Sequence, residues 1–252
     1  MISMKPVLLF IILTLSLGLK AQTKSMDTLN LNDNAYKFSA KKLIVPSVLV
    51  SYGVLSLTVD GLKSLNKSTR YESSEHITPG AKIDNYMQYV PAIAVYGLNL
   101  AGVKGKHNFK DRTIIYATSQ LVLAAIVLPT KHLVHEERPD GSNNLSFPSG
   151  HTATAFSSAQ FMFREYKDSN FWLSISGYPI AAMTGIYRVF NDKHWVGDVV
   201  AGAGIGILST EIAYWLFPVT SKWFASKKDR EAISFAPFYQ SKNIGLTIIK
   251  TF

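Results

Sequence analysis

Apolar segments recur along most of this chain, and they restrict its possible folds more than any other feature. They lie at about 43–59, 88–103, 113–130, 171–187 and 196–217, with a more amphipathic segment at 151–163. Long apolar runs with Ala and Gly, without the alternation of a half-buried strand, are typical of helices. Each run approaches the roughly 17–25 residues that a membrane-spanning helix needs, although several contain Pro, Asn, Gln or Ser. The sequence therefore predicts an all-α fold, a helical bundle of about six core helices embedded in a membrane.

The composition favours the same fold class and excludes several kinds of protein. Apolar residues make up 47% and charged residues 17% of the chain, whereas about 25% of an ordinary soluble domain is charged. The absence of cysteine excludes disulfide scaffolds, thiol catalysis and zinc fingers. A net charge of +9 suits nucleic acid, an anionic membrane surface or an anionic substrate. Because no basic helix is interleaved with stacking aromatics, we expect no nucleic-acid partner.

The two ends of the chain differ from its apolar middle. Lys5 is followed by an apolar run at 6–19 and then by Lys20-Ala21, the layout of a secretory signal, with an uncleaved anchor helix as the alternative. We predict a signal or anchor over 1–21, a polar segment over 22–40, a helical domain over 41–217 and a tail over 218–252. In the tail, two runs of strand-like composition at 233–239 and 244–252 predict a small β-hairpin.

Lys131 and Arg138 belong to the first of three short stretches that carry chemistry at the ends of apolar segments. The two residues are seven apart, so a helix that continued to Pro139 would present both cations on one side. Two cations on one face can hold one anion. The alternative is a solvated basic helix end in which Glu136 and Glu137 are the partners of the cations.

The second stretch is Pro148-Ser149-Gly150-His151, directly before the amphipathic segment. Pro and Ser are start signals for a helix, and they place Ser149 near the N-cap. The free backbone N–H groups around Gly150 can then point at a bound phosphate, and His151 would face that phosphate from the first turn. The alternative is a plain helix start with an incidental histidine.

The third stretch runs from Arg188 to Asp198 and leads into the last apolar segment. Asp192 is a candidate N-cap, which would make His194 and Asp198 an i, i+4 pair on one helical face. A carboxylate there can accept the proton of one imidazole nitrogen, which leaves the other nitrogen free to attack phosphorus. The alternative is a salt bridge at the start of a helix.

These three stretches resemble the type 2 phosphatidic acid phosphatase family, which shares its site with bacterial class A acid phosphatases and vanadium haloperoxidases. The family pattern is Lys, six residues, Arg-Pro; then Pro-Ser-Gly-His; then Ser-Arg, five residues, His, three residues, Asp. This sequence matches it in order and spacing with Lys131, Arg138-Pro139, Pro148-Ser149-Gly150-His151, Arg188, His194 and Asp198. The resemblance covers about 113–217, and the one departure is Tyr187, where the family has Ser.

The resemblance implies a catalytic role for three of these residues. His194 attacks the phosphorus atom in line, and Asp198 orients its imidazole ring. His151 protonates the leaving oxygen and later activates the water that releases phosphate from His194.

The resemblance also implies a phosphate-binding role for five further residues. They hold the equatorial oxygens and stabilise their charge in the transition state, and they are Lys131, Arg138, Ser149, Gly150 and Arg188. Fixed cations already neutralise the phosphoryl group, so no metal and no cofactor is expected. The other His and Glu residues of the first stretch match no common metal-ligand spacing.

The function that this resemblance implies is a metal-independent acid phosphatase that removes phosphate from a lipid-linked monoester or pyrophosphate. Candidate substrates are phosphatidic acid, phosphatidylglycerol phosphate, undecaprenyl pyrophosphate and the phosphates of lipid A. Within the superfamily, the alternatives are a soluble periplasmic acid phosphatase of broad specificity and a vanadate-dependent haloperoxidase. Outside it, the alternative is a polytopic anion transporter in which His194 and Asp198 form a proton relay.

The distribution of Lys and Arg predicts the orientation of the bundle. Basic stretches at 104–112, 164–167 and 222–230 should lie in the cytoplasm by the positive-inside rule. We therefore expect an inner-membrane protein whose site faces the periplasm, with a soluble periplasmic bundle as the alternative. A cleaved signal requires an even number of spans before Lys131, whereas the sequence offers three candidates. Either 43–59 or 88–103 does not cross, or the signal is retained, or the bundle is soluble.

Overall fold

The computed structural model of the protein describes residues 36–76, 82–224, 233–240 and 243–250. Within these residues, a 3-10 turn at Ala40–Leu43 precedes nine α-helices. They are α1 Ile44–Ser56, α2 Asp60–His76, α3 Asp84–Met87, α4 Val90–Leu100, α5 Phe109–Val134, α6 Gly150–Tyr166, α7 Phe171–Ile175, α8 Gly177–Phe190 and α9 Val196–Trp223. The all-α prediction is confirmed, and the six predicted apolar segments correspond to seven of these helices.

Helix α9 is the centre of the bundle and packs against α6, α1 and α5. Glycines on α9 let the neighbouring backbones approach closely. A Cβ atom at Gly202 would lie 2.5 Å from the carbonyl oxygen of Ser149, and one at Gly206 would overlap the carbonyl oxygen of Ala153. The beginnings of α6 and α9 are therefore held side by side, which matters because both helices start in the predicted site.

Large side chains from several helices form the main core. Ile115 of α5, Phe161 and Tyr166 of α6, and Tyr214 and Phe217 of α9 are almost completely buried in one cluster. Burial of side chains of this size contributes about 1.5–3 kcal/mol each to the free energy of folding.

Two arginines from the basic stretches at 104–112 and 164–167 are buried in the interior. Arg112 is 4% exposed and donates to the Asn99 side chain at 2.6 Å and to the carbonyl oxygen of His107. Arg164 is 2% exposed and forms a buried ion pair with Glu211. Both side chains have internal partners, so the basic stretches at 104–112 and 164–167 present fewer solvent-facing charges than their sequences indicate.

Among the described residues, α5 and α9 are long and apolar enough to cross a membrane. A third span is possible if α1 and α2, which are bent by 87° relative to each other, act as one. Helix α4, with 11 residues, is only about 16 Å long, whereas the hydrocarbon core is about 30 Å thick. The predicted segment 88–103 therefore does not cross the membrane as a single helix. Exposed apolar side chains on α5, such as Leu121 and Leu128, are suited to lipid contact.

Three elements differ from the sequence-based expectation. The sequence predicted loops between the apolar segments and no helix at 60–76, yet α2 forms there and packs against the start of α9, where the Gly197 N–H donates to Oδ1 of Asn66 at 3.2 Å. The segment 171–187 is divided into α7 and α8 at Ser176. Helix α9 continues through Pro218 to Trp223, past the predicted end at 217.

The C-terminal strands form the predicted hairpin. Strand β1 Ile233–Gln240 pairs antiparallel with β2 Asn243–Lys250, with Ile233 opposite Lys250 and Gln240 opposite Asn243. The predicted signal or anchor at 1–21 lies outside the described residues.

Candidate active site

Backbone hydrogen bonds tie the three motif stretches together at one end of the bundle. The Ser146 N–H donates to the carbonyl oxygen of Glu136 at 2.9 Å, and the Ser149 N–H donates to that of Asp198 at 3.0 Å. The Asp140 N–H donates to the carbonyl oxygen of Asp192 at 3.1 Å. The end of α5, the start of α6, the end of α8 and the start of α9 therefore meet around one volume.

His194 and Asp198 are in contact, as the spacing predicts, but not on one helical face. Helix α9 begins at Val196 with Trp195 as its N-cap, and Asp192 has a left-handed φ of 53°. The prediction of Asp192 as the N-cap is therefore wrong. His194 lies before the helix, and its Nδ1 is 3.3 Å from Oδ2 of Asp198 because that carboxylate folds back over the first turn.

The Asp198 carboxylate is held by several donors, which fix its position beneath the imidazole ring. The Trp195 N–H donates to Oδ2 at 2.9 Å and the Ser146 hydroxyl donates to the same oxygen at 2.5 Å. Among the described residues, nothing hydrogen-bonds to Nε2 of His194, so this nitrogen is available to a ligand.

His194 is 2% exposed, and its burial lowers its pKa to about 4. Asp198 opposes this shift through its hydrogen bond and its charge, while the cations of Arg188 and Lys131 add to it. The imidazole is consequently neutral near pH 7, which is the protonation state that a nucleophile requires.

His151 lies in the first turn of α6, as predicted, and Ser149 is the N-cap of that helix. Nε2 of His151 is 2.9 Å from Oδ1 of Asn85. Burial lowers the pKa of His151 to about 4, and the positive charge of Arg188 is the next largest cause. The charges of Arg138 and Lys131 lower this pKa further, whereas the charge of Asp84 raises it. Three cations are therefore close enough to His151 to disfavour its protonation while no anion is bound.

Ser149 and Gly150 occupy the helix start in different ways. The Ser149 hydroxyl is 2.9 Å from the hydroxyl of Thr152, within the cap of α6. A Cβ atom at Gly150 would meet only Val127, at 3.8 Å, so the space beside its Cα is open. The side of Gly150 that a Cβ would occupy is thus unobstructed, whereas the Ser149 hydroxyl is already engaged.

Lys131 and Arg138 do not share a helix face. Helix α5 ends at Val134, and His135 follows with a left-handed φ of 52°, so the prediction of one helix carrying both cations is wrong. Nζ of Lys131 donates to the carbonyl oxygen of Leu145 at 2.6 Å. Nε of Arg138 donates to Oδ1 of Asn143 at 3.0 Å, which anchors the guanidinium in the loop after α5. Burial and the charge of Arg188 lower the pKa of Arg138.

Arg188 is paired with a residue that the motifs do not contain. Its Nη1 is 2.7 Å from Oδ2 of Asp84, and Asp84 is 1% exposed. Nε of Arg188 is buried and has no hydrogen-bond partner among the described residues. Asp84 and Asn85 bring α3 over the site, where they contact Arg188 and His151. No local signal in the sequence marks them, because they lie far from the motifs along the chain.

Glu136 has a different partner from the one that the sequence analysis considered. It was considered as a partner of the neighbouring cations and as a metal ligand of unsuitable spacing, but its side chain faces Asp198. Burial raises the pKa of Glu136 to about 9, and the charge of Asp198 and a hydrogen bond to it act in the same direction. One buried oxygen of each carboxyl, Oε2 of Glu136 and Oδ1 of Asp198, has no conventional donor among the described residues. A proton on Glu136 provides that donor, so Glu136 is neutral at pH 7 and donates to Asp198.

Comparisons with known proteins match the part of the chain that contains the three motif stretches. The sequence profile described as the PAP2 superfamily matches residues 112–222. A lipid A 1-phosphatase of Porphyromonas gingivalis is 39% identical over 136 residues, which cover 54% of this chain and only 31% of that protein. A lipid A 1-phosphatase of Helicobacter pylori is 30% identical over 136 residues, which cover 51% of this chain and 68% of that protein.

Among solved structures, the crystal structure of Aquifex aeolicus LpxE resembles this chain with a TM-score of 0.45, and the two sequences are 20% identical. The match covers 59% of this chain and 94% of that one. The profile match at 112–222 includes every motif residue from Lys131 to Asp198, and the Helicobacter pylori relative is matched over most of its length. This chain therefore belongs to the PAP2 superfamily.

Proposed function

We propose that this protein is a metal-independent phosphatase that hydrolyses a phosphomonoester of a membrane lipid through a phosphohistidine on His194. The observation that carries the proposal is the meeting of a neutral, buried His194 with Asp198, His151 and three cations at one end of the bundle. The relatives named as lipid A 1-phosphatases favour the 1-phosphate of lipid A over the other lipid phosphates considered above.

In the first step, Nε2 of His194 attacks phosphorus while the bond from phosphorus to the ester oxygen breaks. Asp198 accepts the hydrogen bond from Nδ1 and stabilises the positive charge that develops on the ring. His151 gives its proton to the leaving oxygen, so the products of this step are the lipid alcohol and phosphohistidine.

The low pKa of His151 does not exclude it as the acid. It is lowered to about 4 by burial and by neighbouring cations in the ligand-free protein. A phosphate dianion bound among those cations offsets their charge and raises the pKa of His151. Substrate binding therefore charges the acid at the point where its proton is needed.

In the second step, His151 takes a proton from water, and the resulting hydroxide attacks phosphorus. The bond between phosphorus and Nε2 breaks, which releases inorganic phosphate and restores neutral His194. Lys131, Arg138 and Arg188 neutralise the equatorial oxygens in both steps, with the N–H of Gly150 as a further donor. Nε of Arg188, which has no partner among the described residues, is a donor for the phosphate, while Asp84 holds Nη1.

The membrane helices support a lipid as the substrate. Helices α5 and α9 are long and apolar enough to cross the bilayer, and the site lies at the end of α5 and the start of α9. A site at the ends of spanning helices lies near the level of lipid headgroups. We further propose that this end faces the periplasm, because the basic stretch at 104–112 lies at the opposite end of α5.

The test is turnover of the purified full chain in detergent with excess EDTA against a panel of lipid phosphates, including lipid A. We expect release of inorganic phosphate, competitive inhibition by vanadate, and a fall of about a thousandfold or more in kcat for His194→Ala. His132→Ala is the matched control, because His132 is an exposed histidine on the last turn of α5 and should retain activity. Radiolabelled phosphate should be trapped on the wild-type chain and not on His194→Ala.

A strict requirement for Mg²⁺ or Zn²⁺ would contradict the metal-independent mechanism. Substantial activity of His194→Ala would contradict the covalent route. Hydrolysis of soluble esters with no preference for lipid phosphates would favour the acid phosphatase of broad specificity instead.

A further inference from the structure

A second polar site lies at the opposite end of the bundle, in a cleft with a volume of about 430 Å³. The start of α1 and the turn before it form one wall, α6 and the beginning of α8 form another, and α9 closes the back. Asp198 and Glu211 are both on α9, and 13 residues of helix separate them by about 20 Å. The cleft is therefore distinct from the candidate active site.

Positive charge dominates one end of this cleft. Among the described residues, four cations line it, Lys41, Lys42, Arg164 and Lys167, against the one carboxylate of Glu211. The side chains of Lys42 and Lys167 are 28% and 32% exposed, so both are partly withdrawn from water. Four cations and one carboxylate leave an excess of three positive charges among the lining residues, while Asp168 lies outside the cleft, 3.9 Å from Lys167.

The single carboxylate is already satisfied from within the protein. Glu211 is 2% exposed, pairs with Arg164 and accepts from Nε2 of Gln160 at 2.7 Å. Nζ of Lys42 is 3.5 Å from the same carboxylate. Glu211 thus fixes Arg164 at the back of the cleft and pairs with Lys42, whereas Lys41 and Lys167 are not among its partners.

The rest of the cleft is apolar and extends toward the middle of the bundle. Leu49 is seven residues from Lys42, and Phe156 is eight from Arg164, which places these side chains about 10–12 Å along their helices from the cations. Val45, Phe163 and Ile207 continue the same surface. One end of the cleft is suited to an anionic group, and the other to a hydrocarbon chain.

We propose that this cleft binds an anionic phospholipid, with the phosphate among Lys41, Lys42 and Lys167 and an acyl chain along Leu49, Phe156 and Ile207. Basic pockets between membrane helices recognise anionic headgroups in this way. A soluble phosphate would make the polar contacts alone and leave the apolar part of the cleft exposed. A neutral lipid would leave the excess positive charge without a counterion. The combination of the two surfaces is what selects an anionic lipid.

The test is the binding of phosphatidylglycerol, compared with phosphatidylcholine, to the purified full chain in neutral detergent. Binding is followed by the shift in Tm as each lipid is titrated. The double variant Lys41→Gln/Lys167→Gln removes two entrance charges and leaves the pair of Arg164 and Glu211 intact. The control Lys63→Gln/Lys67→Gln removes two exposed charges from α2, so the net charge changes equally.

We expect phosphatidylglycerol to bind the wild type and the control more tightly than phosphatidylcholine does. In the Lys41→Gln/Lys167→Gln variant, the apparent Kd for phosphatidylglycerol should rise about thirtyfold, since each lysine near an anionic surface contributes about 1 kcal/mol. If the double variant does not fold, Lys41→Gln alone should raise this Kd about fivefold, because Lys41 is exposed and outside the Glu211 network.

Three results would overturn the proposal. One is equal binding of the two lipids by the wild type. Another is an equal loss of phosphatidylglycerol binding in the control, which would show a nonspecific effect of net charge. The third is a Tm shift by glycerol 3-phosphate or inorganic phosphate that is as large as that by phosphatidylglycerol and is lost in the Lys41→Gln/Lys167→Gln variant, which would assign the cleft to a soluble phosphate. None of these results depends on the phosphatase activity.

Discussion

Substitution of Glu136 provides the sharpest test of the active-site geometry. If Glu136 is protonated, replacing it by Gln should preserve activity, whereas if it is a charged carboxylate, the same replacement should change activity. The substitution Glu136→Gln keeps the shape of the side chain and retains an N–H donor toward Asp198, but it cannot ionise. Glu136→Ala removes the donor and leaves Oδ1 of Asp198 without a partner. Glu137→Gln is the control, since Glu137 is exposed and only its backbone carbonyl contacts the site, through Trp195.

The expected magnitudes follow from the pKa of Glu136, which burial and Asp198 raise to about 9. At pH 7, two units lower, only about one molecule in a hundred carries an ionised Glu136. Glu136→Gln should therefore have a kcat/KM within about threefold of the wild type at that pH. In Glu136→Ala, an unsatisfied buried oxygen costs about 1–3 kcal/mol. If this loss appears in the transition state, kcat falls by roughly 5-fold to 150-fold.

The assay is hydrolysis of the best lipid phosphate between pH 6 and 10 for wild type and both variants. Above about pH 9, ionised Glu136 repels Asp198 and the substrate phosphate in the wild type. The ratio of kcat/KM for Glu136→Gln to that for wild type should then rise with pH, and titrations shared by both proteins cancel in this ratio.

The stability of the two proteins should also diverge. The pKa of Glu136 rises from 4.5 in the unfolded chain to about 9 in the folded protein, so its protonated form favours the folded state. This stabilisation is fully present below pH 4.5 and is lost as the pH rises to about 9. The Tm of the wild type should fall more steeply than that of Glu136→Gln across this range. If Glu136→Gln is as inactive as Glu136→Ala at pH 7, or if the activity ratio stays flat to pH 10, Glu136 does not donate a proton to Asp198.

Further predictions test the rest of the structure. Asp84→Asn should lower Tm, because it breaks a buried ion pair. It should also lower the inhibition constant for vanadate, because Arg188 loses a carboxylate that competes with the bound anion. An unchanged inhibition constant would contradict this reasoning. Gly206→Ala should lose about 1–3 kcal/mol of stability by overpacking, whereas Gly97→Ala, where a Cβ meets nothing within 4 Å, should be neutral or stabilising in thermal unfolding. Cysteines at exposed Ala101 and Asn144 test sidedness by labelling intact cells with an impermeant reagent. We expect Asn144→Cys to react and Ala101→Cys to stay protected, and the reverse would place the site in the cytoplasm.

The sequence by itself determined the helical fold class and indicated most residues of the candidate site. Apolar segments long enough for helices leave few alternatives to a bundle, and seven of the nine helices in the described residues fall on them. The motif residues are recognisable because each depends on a local requirement: a helix start at Ser149, or a short spacing between His194 and Asp198. Requirements of this kind are met within a few residues and are therefore visible in the sequence.

Tertiary structure decided which groups act on these residues. Asp84 reaches Arg188 across 104 residues of sequence, and Glu136 meets Asp198 only because the loop after α5 folds back over the start of α9. The positions of Arg138 and His194 were predicted on helices, but a left-handed residue ends α5 early and a capping turn starts α9 late. Burial set the protonation states, because desolvation depends on everything packed around a group and not on its neighbours in the chain. Spacing along the sequence therefore indicated the chemistry that we propose, while packing determined the charge that each of these groups carries.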